Sequence, residues 1–314
     1  MRSGADMNAK VNLTMGPMEW GILILLSAVW GGSFFFVELA IHEVPPLTMV
    51  LVRVGLAAIA MQIALPLFGL RMPTDWKVLR AFLFMGFLNN AVPFSLIVFG
   101  QTQIASGLAS IFLAATPIFG VLVAHFLTDD ERITPLRVFG VVFGVGGVAL
   151  MIGNDLSEGF SGTLIGQLAL LGAALSYAFG GVFGRRFKAM GVKPAQTAAG
   201  QVTASSILMI PAVILVDRPW ELPMPSGTTI AALIGLALLC TAFAYILYFE
   251  LLKRAGAMNL LLVTLLVPVS AILLGVTFLG ESLAPSHVAG MGLIAVGLLA
   301  IDGRLFRPRR VKQA

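Results

Sequence analysis

The chain has 314 residues, of which 58% are hydrophobic and only 11% are charged, and its mean hydropathy is +0.97. Soluble domains carry about 25% charged residues, so these few charges cannot cover a soluble fold, which excludes a soluble enzyme, a nucleic-acid module and a disulfide scaffold. The single cysteine, Cys240, permits no internal disulfide, and the composition predicts an integral membrane protein.

Apolar runs long enough to cross a bilayer follow one another along nearly the whole chain. A hydrocarbon core about 30 Å thick requires roughly 20 helical residues. The runs lack the alternation of polar and apolar residues that barrel strands need, so they predict an all-α integral membrane protein with ten transmembrane helices. The predicted spans are 18–41, 45–69, 78–99, 103–127, 135–153, 163–184, 195–216, 227–251, 257–279 and 285–302.

The placement of lysine and arginine predicts the orientation of these spans. With a cytoplasmic N-terminus, 18 of the 20 basic residues fall in inside segments, whereas Arg218 falls outside and Arg53 falls within a span. Basic residues concentrate in cytoplasmic loops, so the tail 1–17 and the basic tail 304–314 are both predicted to be cytoplasmic. The net charge of +5 therefore reflects topology and contact with lipid, and it implies no nucleic-acid partner.

An internal repeat appears at an offset of about 150 residues. Each half contains five predicted spans, and because five is odd, the second half enters the membrane from the opposite side. The pattern predicts two inverted-topology five-helix repeats, 18–155 and 156–303, which is an architecture typical of secondary transporters. The matched pairs are Glu131 with Glu281, Pro135 with Pro285, Gly140 with Gly290, Gly147 with Gly297, Gly153 with Gly303 and Pro117 with Pro268.

A set of short motifs occurs in order along residues 18–303. They are Trp30-Gly31-Gly32-Ser33-Phe34-Phe35, Pro46 with Arg53, Ala105-Ser106-Gly107-Leu108-Ala109 with Pro117, Glu131-Arg132-Ile133-Thr134, and Pro268 with Leu279-Gly280-Glu281-Ser282. Together they resemble the EamA-type, ten-helix branch of the drug/metabolite transporter superfamily. The resemblance extends to its amino-acid exporters, including the YddG-like ones.

This resemblance implies a function and a location. It implies a secondary transporter, not driven by ATP, in the bacterial cytoplasmic (inner) membrane. Such a protein exports small metabolites, commonly amino acids including aromatic ones, by alternating access through a central cavity between the repeats. The partners are then a small-molecule substrate and the lipid bilayer, and a homodimer is left open. A drug, a nucleoside or another metabolite is the alternative substrate.

The residues also bear on other function classes. The only acidic run, Asp129-Asp130-Glu131, lacks the spacing that would hold a metal–diphosphate complex, so no enzyme is predicted. No nucleotide-binding motif, metal site or cofactor is predicted. A nucleotide substrate would require several basic residues in the cavity, and Arg53 alone lies within a span, which favours a substrate of little net charge.

Ionisable groups inside a membrane are costly and are candidate functional residues. Arg53 is predicted to bind a substrate carboxylate, and Glu38 to bind a substrate ammonium group or a coupling proton. Because the two residues lie at similar depths, a structural ion pair between them is the alternative. Movement down a metabolite gradient without proton coupling is also left open.

Polar and aromatic residues within spans complete the predicted substrate-binding set. Asn89 and Asn90 cannot both face lipid cheaply, and Pro93 frees a backbone carbonyl near them. The alternative for these amides is contact between helices, and for the aromatic residues it is ordinary packing. The full set is Trp30, Ser33, Arg53, Asn89, Asn90, Tyr177 and Tyr245.

Two further features are predicted to be structural. Pro117 and Pro268 are expected to bend the fourth and ninth spans. Gly140 and Gly144 form a close-packing pattern in the fifth span, which we expect to pack against the tenth.

Overall fold

The computed structural model describes residues 15–128, 134–157, 162–260 and 262–302. Over these residues the chain is helical, without a β-strand; eight helices are long and apolar enough to cross a membrane, and two further apolar helices are shorter. The predicted repeat partners Glu131 and Gly303 lie outside the described residues. The helices are α1 Pro17–Ala40, α2 Pro46–Leu67, α3 Trp76–Gln101, α4 Ser106–Leu127, α5 Pro135–Ser157, α6 Thr163–Ala189, α7 Pro194–Val216, α8 Gly227–Gly256, α9 Val263–Phe278 and α10 Pro285–Asp302.

The helices begin where the sequence supplies start signals. Proline stands in the first turn of α1, α2 and α7, where its missing N–H costs nothing. Asp75 accepts hydrogen bonds from the first turn of α3, and Ser226 accepts one from Thr229 N at 3.3 Å at the start of α8. The predicted start at residue 257 differs from the observed start of α9 at Val263. Gly256 breaks the preceding helix at a φ of 76°, and a short helical segment continues to Leu260 before α9 begins.

The predicted contact between the fifth and tenth spans is confirmed. A Cβ atom on Gly140 would lie 2.6 Å from Gly297 O, and one on Gly147 would lie 2.6 Å from Gly290 O. The backbones of α5 and α10 therefore touch directly, which only glycine permits at these positions.

The most extensive contacts between helices of the two halves are arranged in equivalent pairs. Helix α1 packs against α8 and α9, while α6 packs against α3 and α4. Helix α2 packs against α8 while α7 packs against α3, and α2 also contacts α7 as α5 contacts α10. Exchanging α1–α5 with α6–α10 leaves this set of contacts unchanged.

Helices α3 and α8 each contain a π-helical segment. The segments are Phe87–Ala91 and Gly235–Phe243, both near the middle of their helices. Pro93 follows the first segment and cannot donate to the Asn89 carbonyl four residues earlier. Widened turns of this kind are frequent at functional sites, and the two segments contain the buried polar residues Asn90 and Thr241.

Candidate functional site

Arg53 is the one buried arginine among the described residues. Arg53, on α2, is 5% exposed, and its Nε donates to Thr241 Oγ1 on α8 at 2.9 Å. Its guanidinium carbon lies 3.7 Å from the centre of the Phe94 ring on α3. Thr241 in turn donates to Leu236 O at 2.9 Å within the π-helical segment, so its hydroxyl is held in place from both sides.

The charge of Arg53 has no acidic partner within the described part of the chain. In particular, Arg53 and Glu38 do not form the ion pair considered from their depths in the sequence. An uncompensated buried cation is expensive, and the remaining N–H groups of the guanidinium are suited to a planar carboxylate.

Two amides lie beside Tyr245, which also interacts with the charge of Arg53. Asn90 Nδ2 lies 3.2 Å from Tyr245 Oη, while Asn90 Oδ1 is buried and has no hydrogen-bond partner among the described residues. Asn89 Nδ2 donates to Gln201 Oε1 at 3.2 Å, and Asn89 Oδ1 packs on Gly180 of α6. The site thus presents one unpaired acceptor, Asn90 Oδ1, in the same cluster as an unpaired cation.

Aromatic rings enclose the cluster. Tyr177 on α6 and Tyr245 on α8 lie close enough to Arg53 to interact with its charge. Trp30 stands one ring further away, with its centroid 5.7 Å from that of Tyr248, which neighbours Tyr245. The structure therefore brings together Arg53, Asn89, Asn90, Tyr177 and Tyr245, with Trp30 at the edge.

The remaining predicted residues lie elsewhere. Ser33 donates its hydroxyl to Trp30 O at 2.8 Å, so this hydroxyl is engaged with its own helix. The helical run of α4 is interrupted at Ala114 and Ala115 and resumes at Thr116, just before Pro117. Thr116 Oγ1 donates to Leu113 O at 2.6 Å, which replaces the N–H that Pro117 lacks. Helix α9 continues through Pro268.

Glu38 occupies a separate cavity at the end of α1. The cavity has a volume of about 290 Å³ and is lined by Glu38, His42, Gln101 and the segment 102–105. Glu38 Oε1 lies 3.9 Å from His42 Nε2, while Glu38 Oε2 is buried without a hydrogen-bond partner in the described structure.

Three carboxylates at this end of the molecule bind the starts of other helices. Glu281 accepts from Ser106 N at 2.8 Å and Gly107 N at 2.9 Å at the start of α4. Asp217 accepts from Thr48 N at 2.6 Å and Thr48 Oγ1 at 2.8 Å at the start of α2. These contacts join segments more than 160 residues apart in the chain.

Glu43 makes the third such contact, at the start of α8. Its carboxylate accepts from Ser226 N at 2.6 Å and from Ser226 Oγ at 2.8 Å. Because these hydrogen bonds stabilise the ionised form, they lower the pKa of Glu43.

Several residues of the cluster were not predicted from the sequence. Thr241, Phe94 and Gln201 contact its members directly. Thr241 and Gln201 are polar residues within apolar spans, which is the signal that could have identified them, whereas one phenylalanine among 22 carries no signal.

Comparison with known proteins places the chain among transporters. The model of the EamA-like transporter family matches residues 18–153 and again residues 164–301. The chain is 28% identical over 298 residues to the uncharacterized inner membrane transporter YedA of Escherichia coli (strain K12), covering 93% of this chain and 94% of YedA. It is 27% identical over 301 residues to a "Probable amino-acid metabolite efflux pump" of the same organism, covering 90% of this chain and 94% of the pump.

A solved structure has the same fold. That crystal structure superposes with a TM-score of 0.64 at 20% identity, covering 93% of this chain and 98% of its own. This likeness concerns the fold alone.

Proposed function

Because the chain belongs to the EamA-like transporter family, we propose that it is a secondary transporter that exports amino acids, including aromatic ones. Membership of this family makes it a membrane transporter and not an enzyme. Relatives named as amino-acid metabolite efflux pumps in Escherichia coli and Salmonella typhimurium support the substrate class.

The unpaired charge of Arg53 carries the proposal. A buried guanidinium without an acidic partner in the described structure gains most from a ligand that brings a carboxylate. Asn90 Oδ1, the unpaired acceptor nearby, is suited to the ammonium group of the same ligand. Phe94, Tyr177 and Tyr245 supply apolar surface for its side chain.

Alternating access is the proposed mechanism. Ten spans form two inverted five-helix repeats, with both termini in the cytoplasm, and the site lies between the repeats. The family model matches the chain twice, and the most extensive helix contacts survive exchange of the two halves, which supports this arrangement. Trp30 at the edge of the cluster, and Ser33, Pro117 and Pro268 outside it, are assigned to the helices that move around the proposed central cavity.

Reconstituted protein tests the substrate class. We expect saturable uptake of phenylalanine, threonine or methionine into proteoliposomes, with little uptake of uridine or of a cationic dye. Movement of the dye or the nucleoside without any amino-acid signal would contradict the proposed class and leave the transporter assignment intact.

Competing analogues test the two polar contacts separately. Phenethylamine lacks the carboxylate of phenylalanine, and phenylpropionate lacks its ammonium group. Each hydrogen bond to a charged group contributes roughly 1.5–3 kcal/mol, so each analogue should compete about 10–100-fold more weakly than phenylalanine. In Arg53→Gln we expect the preference for phenylalanine over phenethylamine to vanish.

A matched variant controls for expression and folding. Arg254→Gln removes a half-exposed arginine that pairs with Glu250, outside the cluster. We expect this variant to transport like the wild type. Normal amino-acid transport by Arg53→Gln would overturn the assignment of the carboxylate to Arg53.

A further inference from the structure

Three carboxylates at one end of the molecule join the first half of the chain, α1–α5, to the second half, α6–α10. Glu43, between α1 and α2, binds Ser226 at the start of α8. Asp217, directly after α7, binds Thr48 in the first turn of α2. Glu281, between α9 and α10, binds two N–H groups at the start of α4. Each of these contacts has its carboxylate in one half and its donors in the other.

Carboxylates at the opposite end bind within their own half, in the part of the chain that the structure describes. Glu19 accepts from the backbone at the start of its own helix, α1. Asp75 caps its own helix, α3, and Glu250 pairs with Arg254 four residues later. Among the described residues, the ionised contacts between the halves therefore lie at the end that the proposed orientation places outside.

Two of these contacts hold the helices that carry the central cluster. Thr48 precedes Arg53 by five residues on α2, a rise of about 7.5 Å along the helix. Ser226 begins α8, which carries Thr241, the hydrogen-bond partner of Arg53. Separation of these two helix ends around the guanidinium requires the contacts of Thr48 and Ser226 to break.

The chemistry of these contacts is suited to repeated breaking. Glu43 and Ser226 are exposed, and Asp217 and Glu281 are half-buried, so water can replace each partner when a contact opens. The N–H groups at a helix start have no partner within the helix, and negative charge is favourable beside them. Each contact can therefore close again without a rearrangement of its helix.

We propose that the contacts made by Glu43, Asp217 and Glu281 form an outer gate, which is closed in this structure and breaks when the central site opens to the outside. The gate rests on the alternating access of the proposed function, because a fixed pore would not require these contacts to break.

The distance between two spin labels tests the gate without any transport. In a Cys240→Ala background, labels at Gln103→Cys and Leu215→Cys, which are exposed positions in opposite halves, report the separation of the halves at this end. Glu43→Ala and Asp217→Ala each remove hydrogen bonds to a charged group, so each should raise the ratio of open to closed protein roughly 10–100-fold. In the combined variant we expect a longer distance to appear.

Two further variants control for charge and for stability. Glu221 lies at the same end but pairs with Arg218 within its own half, so Glu221→Ala should leave the distances unchanged. Gly297→Ala disrupts the contact of α5 with α10 and should also leave them unchanged. An unchanged distribution in the combined variant of Glu43 and Asp217, or the same change in either control, would overturn the proposal.

Locking the gate tests whether transport requires it to open. In the Cys240→Ala background, Glu43→Cys and Ser226→Cys bridged by dibromobimane should abolish transport. Arg218→Cys and Glu221→Cys, bridged within one half, should leave transport unchanged. Continued transport by the fully bridged pair at 43 and 226 would overturn the gate. Transport of uridine or a cationic dye in place of amino acids, if it is abolished by the same bridge, would overturn the substrate class and support the gate.

Discussion

Arg53 and Thr241 form the central contact of the site at the scale of single residues. The Thr241 hydroxyl accepts from Arg53 and donates to Leu236 O, so it fixes the direction of the guanidinium. Arginine carries five N–H donors, and fixing one of them leaves the others presented to a ligand. Under the proposed function, this contact orients the guanidinium for a substrate carboxylate before the substrate binds.

Replacing this threonine tests the positioning of Arg53. Thr241→Val keeps the shape and removes the hydroxyl, and the loss of a hydrogen bond to a charged group should weaken apparent affinity for phenylalanine by roughly tenfold. The measurement is the KM of uptake in proteoliposomes.

Thr203→Val is the matched control. Thr203 also accepts from a side chain, Gln62 Nε2 at 3.0 Å, and donates to a helix carbonyl, Ala199 O at 2.7 Å. It should leave the KM unchanged. Equal effects of the two variants would contradict the positioning role of Thr241.

The lowered pKa of Glu43 makes the stability of the protein depend on pH. Its pKa is lowered in the folded protein, so its contribution is present above the ordinary glutamate pKa of about 4.3 and is lost as the pH falls through the lowered value. The thermal midpoint of Glu43→Gln should lie below that of the wild type near neutrality. This difference between the two thermal midpoints should disappear in more acidic buffer.

A neighbouring carboxylate provides the comparison for Glu43. Glu221 forms an exposed pair with Arg218, and such pairs contribute little. The thermal midpoint of Glu221→Gln should equal that of the wild type at either pH. A gap for Glu43→Gln that persists in acid would rule out ionised Glu43 as its cause.

The sequence identified Arg53 because a charge inside an apolar run is conspicuous. It could not identify the Thr241 contact, since 188 positions separate the two residues and a threonine hydroxyl commonly bonds within its own helix. The cavity of Glu38 was missed for a similar reason, because Glu38 and Gln101 line it together only through the packing of α1 against α3.

At the scale of elements, carboxylates that cap distant helices hold one end of the fold together. Glu281 replaces two missing backbone partners at the start of α4 and is packed beside Gly107 and Gly275. Negative charge is favourable at a helix N-terminus. The loop after α9 is thereby tied to α4.

Removing this cap should destabilise the protein. Glu281→Gln keeps the shape but presents an amide N–H to backbone N–H groups, and we expect a loss of about 1–3 kcal/mol. The measurement is thermal unfolding in detergent, with Glu250→Gln as the control. Equal midpoints for the two variants would contradict the capping role.

Substitutions at two glycines of α10 distinguish the effect of close helix packing from the effect of helix propensity. A Cβ atom at Gly297 would lie 2.5 Å from Gly140 O and 2.9 Å from Gly144 N, whereas one at Gly292 would meet nothing within 4 Å. Gly297→Ala should therefore destabilise the protein, while Gly292→Ala should be neutral or stabilising by up to about 1 kcal/mol. Thermal midpoints that fall equally would contradict direct backbone contact.

The helices themselves were largely predictable, because span lengths and proline start signals are local. The π-helical segments were not, except for the hint given by Pro93. Their geometry depends on packing across α2, α3 and α8, which no local pattern encodes.

At the scale of the whole molecule, the repeat in the sequence anticipates how the helices pair. Offsets near 150 link Gly140 to Gly290 and Gly147 to Gly297, and the structure brings α5 and α10 together along these same glycines. Apart from the contact of α5 with α10, the sequence could not predict which helices meet across the two halves. That information lies in long-range contacts such as Thr48 with Asp217.

The proposed orientation in the membrane rests on the placement of the basic residues. In a Cys240→Ala background we expect Glu221→Cys to react with a membrane-impermeant maleimide on intact cells. Arg71→Cys should react only after the cells are broken. The opposite pattern would contradict cytoplasmic termini.

The thiol of Cys240 is a natural chemical probe for opening of the central site. It is the only sulfhydryl in the protein, and it lies buried beside Arg53. A water-soluble thiol reagent can react with it only during the moments when the central site admits water. The rate at which Cys240 is modified therefore reports how often the site opens to water. A bound substrate should lower this rate.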